Sequence, residues 1–191
     1  MAGRDRQLAA HVFGSLSHLA HHRGRPKEAV AYARRGREQL AGAGRHPGLE
    51  ARLLALQARG HAAIGDSAAC LDDLRRAERV LAGAPAEAGS PWASGYDDAA
   101  LAVDTARCLR RVGHLEAAQT HVEQVIRLRP PDRVRSRALA QLILVSILIA
   151  QHRPEEACGV AAGARRDGGA RLGPGVPATG GSRPTPRAVS G

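Results

Sequence analysis

Apolar residues recur along this chain at steps of three and four, the period of a helix that buries one face. Phe13, Leu16 and Ala20 form one stripe, and Leu53, Leu54 and Ala58 belong to a second. Leu71, Leu74, Ala77 and Leu81 make a third, and Ala118, Val122, Val125 and Ile126 a fourth. No stretch alternates apolar and polar residues for long enough to predict a strand.

Short breaks separate the stripes. Gly24, Arg25, Pro26, Lys27, Glu28 and Ala29 close one helix and open the next. Pro26 falls in the first turn, where a proline forfeits no hydrogen bond. His152, Arg153, Pro154, Glu155, Glu156 and Ala157 repeat that arrangement almost residue for residue. Gly65 before Asp66 and Ser67, and Gly113 before His114 and Leu115, place a glycine at a helix end, where a left-handed residue closes the last turn. Glu28, Glu116, Glu155 and Glu156 stand in first turns, where the helix dipole favours an anion. The pattern predicts eight helices, over 5–22, 26–42, 48–64, 67–83, 96–112, 115–128, 133–151 and 154–166. Paired across the breaks, they give an all-α fold of four antiparallel helix-turn-helix hairpins.

Composition agrees with helices that pack closely. Hydrophobic residues make up 43% of the 191 residues and aromatic residues 2%. Ala and Leu must therefore do the burying, which excludes sandwich and barrel cores built on aromatic and β-branched residues. The formal net charge of +10 suggests nucleic acid. However, Lys27 is the sole lysine and asparagine is absent, so arginine is this chain's generic polar residue. Phosphate-binding proteins more often mix Lys with Arg on one face. Cys70, Cys108 and Cys158 are odd in number and widely spaced; each sits in a helical apolar pattern and reads as a buried free thiol. That usage fits a reducing cytoplasm. The most apolar run, 138–150, is shorter than the roughly 20 residues that span a bilayer. From 168 to 191 Gly, Pro and Arg dominate without periodicity, which predicts a disordered tail after a helical domain over 1–167, or alternatively a shifted reading frame.

The hairpins resemble tetratricopeptide repeats. That family places a small residue eighth in its first helix, a glycine near the fifteenth position, and an alanine twentieth, where the two helices touch. Ser17, Gly24 and Ala29 match in the first unit, and Ala58 and Gly65 in the second, with Cys70 in place of the alanine. Ala106, Gly113 and Ala118 match in the third, where Pro130 matches the closing proline. Only Ala157 matches well in the fourth, because His152 replaces the glycine and Val145 the small residue. The twentieth positions, Ala29, Cys70, Ala118 and Ala157, are 41, 48 and 39 residues apart, against a family period of roughly 34. The resemblance thus implies an irregular superhelix of about four hairpins, with extra residues between them.

A narrower resemblance concerns Pro91, Trp92, Gly95, Tyr96, Asp97, Asp98 and Leu101, then Cys108, Leu109 and Arg110, then Val134 to Ala138. This run is similar to the C-terminal repeat region of actinobacterial helix-turn-helix transcriptional regulators. It implies a regulatory, sensory or oligomerising module, truncated or stand-alone, without the DNA-binding domain. Trp92 is expected to pack as a lid over the junction of the second and third hairpins.

In tetratricopeptide geometry, first-helix positions two, five, nine and twelve line the concave surface. Here they map to His11, His18 and His21, to Arg52 and Arg59, and to Arg107 and Arg110. This basic stripe suits an acidic peptide or a terminal carboxylate. In the fourth unit the same positions are Leu139, Leu142, Ser146 and Ile149, so helix 133–151 is apolar nearly all round. A further repeat, a homodimer partner or a bound amphipathic helix would cover it.

Catalytic constellations are not evident. There is no phosphate loop, no Gly-x-Ser-x-Gly elbow and no His-Glu-x-x-His. His18, His21 and His22 share helical spacing but have no nearby carboxylate to complete a metal site. Asp72–Asp73 and Asp97–Asp98 are adjacent pairs, which a helix points in different directions; they read as solvated charge and helix starts. The expectation is a cytoplasmic protein-binding scaffold, not an enzyme, with no cofactor, no metal and no membrane contact. A basic solenoid that binds nucleic acid directly is the alternative.

Overall fold

The computed structural model describes residues 2–83, 96–128, 130 and 133–169. Among them 86% are helical and none lies in a strand, so the periodicity alone carried the fold class. Eight helices follow one another: α1 (Ala2–His22), α2 (Pro26–Ala41), α3 (Pro47–Ile64), α4 (Ser67–Ala82), α5 (Asp98–Arg111), α6 (Leu115–Leu128), α7 (Val134–Ala150) and α8 (Pro154–Gly169). Trp92 lies outside the described residues, as do 170–191 of the expected tail, whose first two positions, 168 and 169, instead continue α8.

The four short turns, between α1 and α2, α3 and α4, α5 and α6, and α7 and α8, share one mechanism. Gly24, Gly65 and Gly113 have φ of +70°, +91° and +89°. A left-handed residue after a helix frees two amides to reach back to the last carbonyls. Arg25 N–H donates to Ala20 O at 2.9 Å, Asp66 to His61 O at 3.0 Å, His114 to Leu109 O at 2.9 Å and Arg153 to Leu148 O at 2.9 Å. In the fourth turn the left-handed position is filled by His152, with φ +60°. The next helix then starts on Pro26, on Pro154, or behind Asp66, whose carboxylate accepts from Ala69 N–H at 3.0 Å. Asp97 caps α5 likewise, accepting from Ala100 N–H at 2.8 Å.

Small residues let the helices approach. Ala29, Ala58, Cys70, Ala106 and Ala118 are fully or almost fully buried, and Ala157 nearly so. Ser17 is buried too, and its hydroxyl donates to Ala29 O at 2.8 Å, tying α1 to α2. A Cβ on Gly60 would stand 2.5 Å from Val30 Cγ2 and 3.2 Å from Pro26 O. The glycine is therefore the reason that α3 can lie against the backbone of α2.

α3 is the centre of the array. It touches α1, α2, α4 and α5, and it buries residues on every side, among them Leu49, Leu53, Leu54, Leu56 and Ala58. The second half has its own core, in which Val103 and Leu109 of α5, Val122 and Val125 of α6 and Ile143, Leu144, Ile147 and Leu148 of α7 meet.

Two expectations fail. Cys70 and Cys108 are buried, but Cys158 is exposed; the apolar neighbours that suggested burial lie on the other side of α8. Asp73 is not solvated charge: it is 3% exposed, while Asp72 stays outside and pairs with Arg76. Arg37 donates to Gln57 Oε1 at 3.3 Å, Gln57 Nε2 donates to Asp73 Oδ1 at 3.4 Å, and His61 Nδ1 lies 3.0 Å from Asp73 Oδ2. A buried carboxylate has to be hydrogen-bonded, and this network supplies α2, α3 and α4 with a shared polar seam. Burial still raises the Asp73 pKa, with His61 pulling the other way.

The tight crossing and the strained turn carry opposite expectations. Gly60→Ala should destabilise by about 1–2 kcal/mol, overpacking outweighing the roughly 1 kcal/mol of helix propensity gained. His152→Gly should stabilise by roughly 0.5 kcal/mol, since relief of the left-handed strain exceeds the added chain entropy. Urea denaturation of both variants measures each sign.

Candidate functional site

The odd-numbered helices share one face. α1 touches α3, α3 touches α5 and α5 touches α7, whereas among the described residues the backbones of α2, α4, α6 and α8 do not approach one another closely. Residues seven apart on a helix return to the same side after two turns. His11 and His18 on α1, and Arg52 and Arg59 on α3, are such pairs.

These side chains lie close enough across the helices to feel one another's charge. The pKa of His11 is lowered by burial and then by Arg52. That of His18 is lowered by burial and then chiefly by Arg59. Burial, Arg59, His22 and Arg111 bring His21 from 6.5 to about 4. An imidazole among guanidinium groups resists a second positive charge, so His21 is neutral at pH 7. The Nδ1 atoms of His11 and His21 are buried and have no hydrogen-bond partner among the described residues. The ring centroids of His18 and His22 are 4.4 Å apart.

One carboxylate sits on this face, and the sequence reading missed it. Asp104 accepts from Tyr96 O–H at 3.1 Å and from Arg107 Nη1 at 3.3 Å, and Arg59 Nη1 lies 3.9 Å away. Its spacing of three from Arg107 was the available local signal. Tyr96 is pinned by this contact, and burial, followed by Asp104, raises its pKa well above 10. Arg111, also unforeseen, joins the same site.

These groups converge on a pocket of about 250 Å³. His21 comes from α1, Arg59 and Ala62 from α3, and Arg107, Cys108, Arg110 and Arg111 from α5. The fourth wall is α7, through Leu142, Ile143 and Ser146. Four of the seven residues expected to form a basic stripe therefore line one pocket, namely His21, Arg59, Arg107 and Arg110. His11, His18 and Arg52 lie further along the face, beside α1 and α3. Of the apolar candidates, Leu142 is in the pocket and is 62% exposed; Leu139 and Ile149 are 41% and 58% exposed on the same helix.

The chemistry on offer is binding. Guanidinium groups donate in a planar fork to carboxylates, and an exposed leucine beside them offers apolar area. Asp104 is held by three partners and is not placed as a free base. Among the described residues no three potential metal-ligating side chains gather at one point, and no helix is long and apolar enough to cross a membrane. No family model, no curated protein and no solved structure matches the chain.

The depressed histidines set a pH dependence. A group whose folded pKa lies below its unfolded value contributes stability at higher pH and loses it as pH falls between the two. For His21 that window runs from 6.5 down to about 4. Thermal midpoints should fall across this window, and His21→Gln should flatten part of the fall; an unchanged profile in the variant would show that His21 is not the titrating group.

Proposed function

We propose that this chain is a protein-interaction scaffold whose shared α1, α3, α5 and α7 face holds a segment of a partner protein. In this reading the four helix pairs are antiparallel hairpins of a tetratricopeptide-like superhelix, irregular in period. Three observations support it: the small residues at the pair contacts, the left-handed residue in all four turns, and close backbone approach among the first helices of each pair but not among the second. Packing on one side only bends such an array toward that side, which would make the shared face concave.

The observation that carries the function is the pocket where Arg59, Arg107, Arg110 and Arg111 meet Leu142. Its place is the regulatory or oligomerising repeat module of a regulator-type protein, where a bound segment or a second copy occupies the groove. Binding is the activity, without catalysis or a cofactor, and the setting is cytoplasmic. A nucleic acid would also neutralise the arginines, but it gives no account of the exposed leucines of α7.

Affinity capture with the whole chain, compared with Arg110→Glu/Arg111→Glu, tests this. Both arginines are exposed, so the reversal should leave the helical circular dichroism unchanged. Partner proteins held by the wild type should drop by about tenfold or more in the variant, as expected for reversing charges that a ligand contacts. Partners retained by the variant, or none recovered alongside a monomer in sedimentation, would refute the proposal.

A further inference from the structure

The pocket has two chemically different halves. On one side Arg110 and Arg111 are exposed and form no ion pair among the described residues, while Arg59 and Arg107 share the single carboxylate of Asp104. Asp104 also accepts from Tyr96, and its one negative charge cannot balance all four guanidinium groups. On the other side, α7 carries no charged residue from 138 to 150. Leu142 lines the pocket there and is 62% exposed.

We infer that the pocket recognises an acidic peptide segment with a leucine-like side chain embedded among its carboxylates. This rests on the scaffold reading and names the partner's chemistry. Four arginines against one committed aspartate leave the site short of negative charge, and the missing carboxylates must come from the ligand. A purely anionic ligand would leave Leu142 in water; a purely apolar one would desolvate Arg110 and Arg111 without pairing them, which is costly. Only a ligand that combines both satisfies the two walls together. A volume of about 250 Å³ lies below the roughly 300–1,000 Å³ of sites that enclose drug-sized ligands, and so suits one side chain of a peptide that continues along the face. His21 supplies a built-in reporter. Its imidazole is made hard to protonate first by burial and then by Arg59, and a carboxylate seated among the arginines opposes the Arg59 part of that effect.

The test uses the full chain and a fluorescent peptide of about a dozen residues, with Asp and Glu flanking one leucine. A second peptide has the leucine replaced by serine, and an oligothymidylate of matched charge is the third ligand. The acidic leucine peptide should bind. Its affinity should fall about tenfold or more with leucine replaced, with Leu142→Ser, and with Arg110→Ala/Arg111→Ala, a fall large enough to count as loss of a central contact. NMR titration should place the His21 pKa above its free value of about 4 in the complex. Equal binding of the leucine and serine peptides, an unaffected Leu142→Ser variant, an unmoved His21, or no peptide binding at millimolar concentration each overturns the inference. Tighter binding of the oligothymidylate, indifferent to Leu142→Ser, overturns it in favour of a polyanion. If captured proteins depend on Arg110 and Arg111 but the leucine peptide does not displace them, this inference fails and the scaffold reading stands. If no protein is captured and the chain sediments as a monomer, the scaffold reading fails.

Discussion

Burial without bulky side chains is the constraint on which the rest of this molecule depends. With aromatic residues at 2%, no single side chain can fill a wide gap between helices. The helices must come close enough for alanine, serine and glycine to make the contact, because interiors are packed as densely as crystals. Ser17 bonded to the backbone of Ala29, and Gly60 set against Val30 and Pro26, show how close that is. Leucines then fill the spaces on either side of these crossings. Close approach needs short turns of fixed geometry, and the four left-handed residues at 24, 65, 113 and 152 provide it.

This dependence explains what could be read from the sequence. Stripes of period 3.6, glycines after helices and prolines in first turns are local signals, and each follows from the backbone of a few residues. They located all eight helices to within a few residues. His152 departs from the glycine pattern, yet it takes the same left-handed conformation as the glycines of the other three turns. Histidine tolerates that conformation better than a β-branched residue would.

The misreadings share a cause. Whether Asp73 is inside and Cys158 outside depends on which neighbours another helix brings, which no local spacing reveals. Asp73 is held by Gln57 and His61 of α3, with Arg37 of α2 bonded to the same Gln57. Asp104 was overlooked because its importance arises from Tyr96 and Arg59, eight and forty-five positions away. The groove residues themselves came from a mapping onto repeat positions, and this named the helices and stripes involved. It did not reveal that the basic stripe and the apolar helix are parts of one pocket.

That union decides how α7 should be understood. In the row α1, α3, α5, α7 the last helix has no further neighbour among the described residues, and such a helix would expose apolar area whether or not it binds anything. Mere termination would place that area on the flank where another repeat would stack. Leu142 instead lines a pocket with Arg59, Arg107 and Arg110, so it faces the same side as the arginines of α3 and α5. Leu139 and Ile149, three and seven residues from it, return to a similar side of the helix. α7 buries Ile143, Leu144, Ile147 and Leu148 against its neighbours, which already secures its place in the fold. Leu142 left in water is surplus to folding, and its position beside the guanidinium groups of α3 and α5 is what the proposed ligand would use.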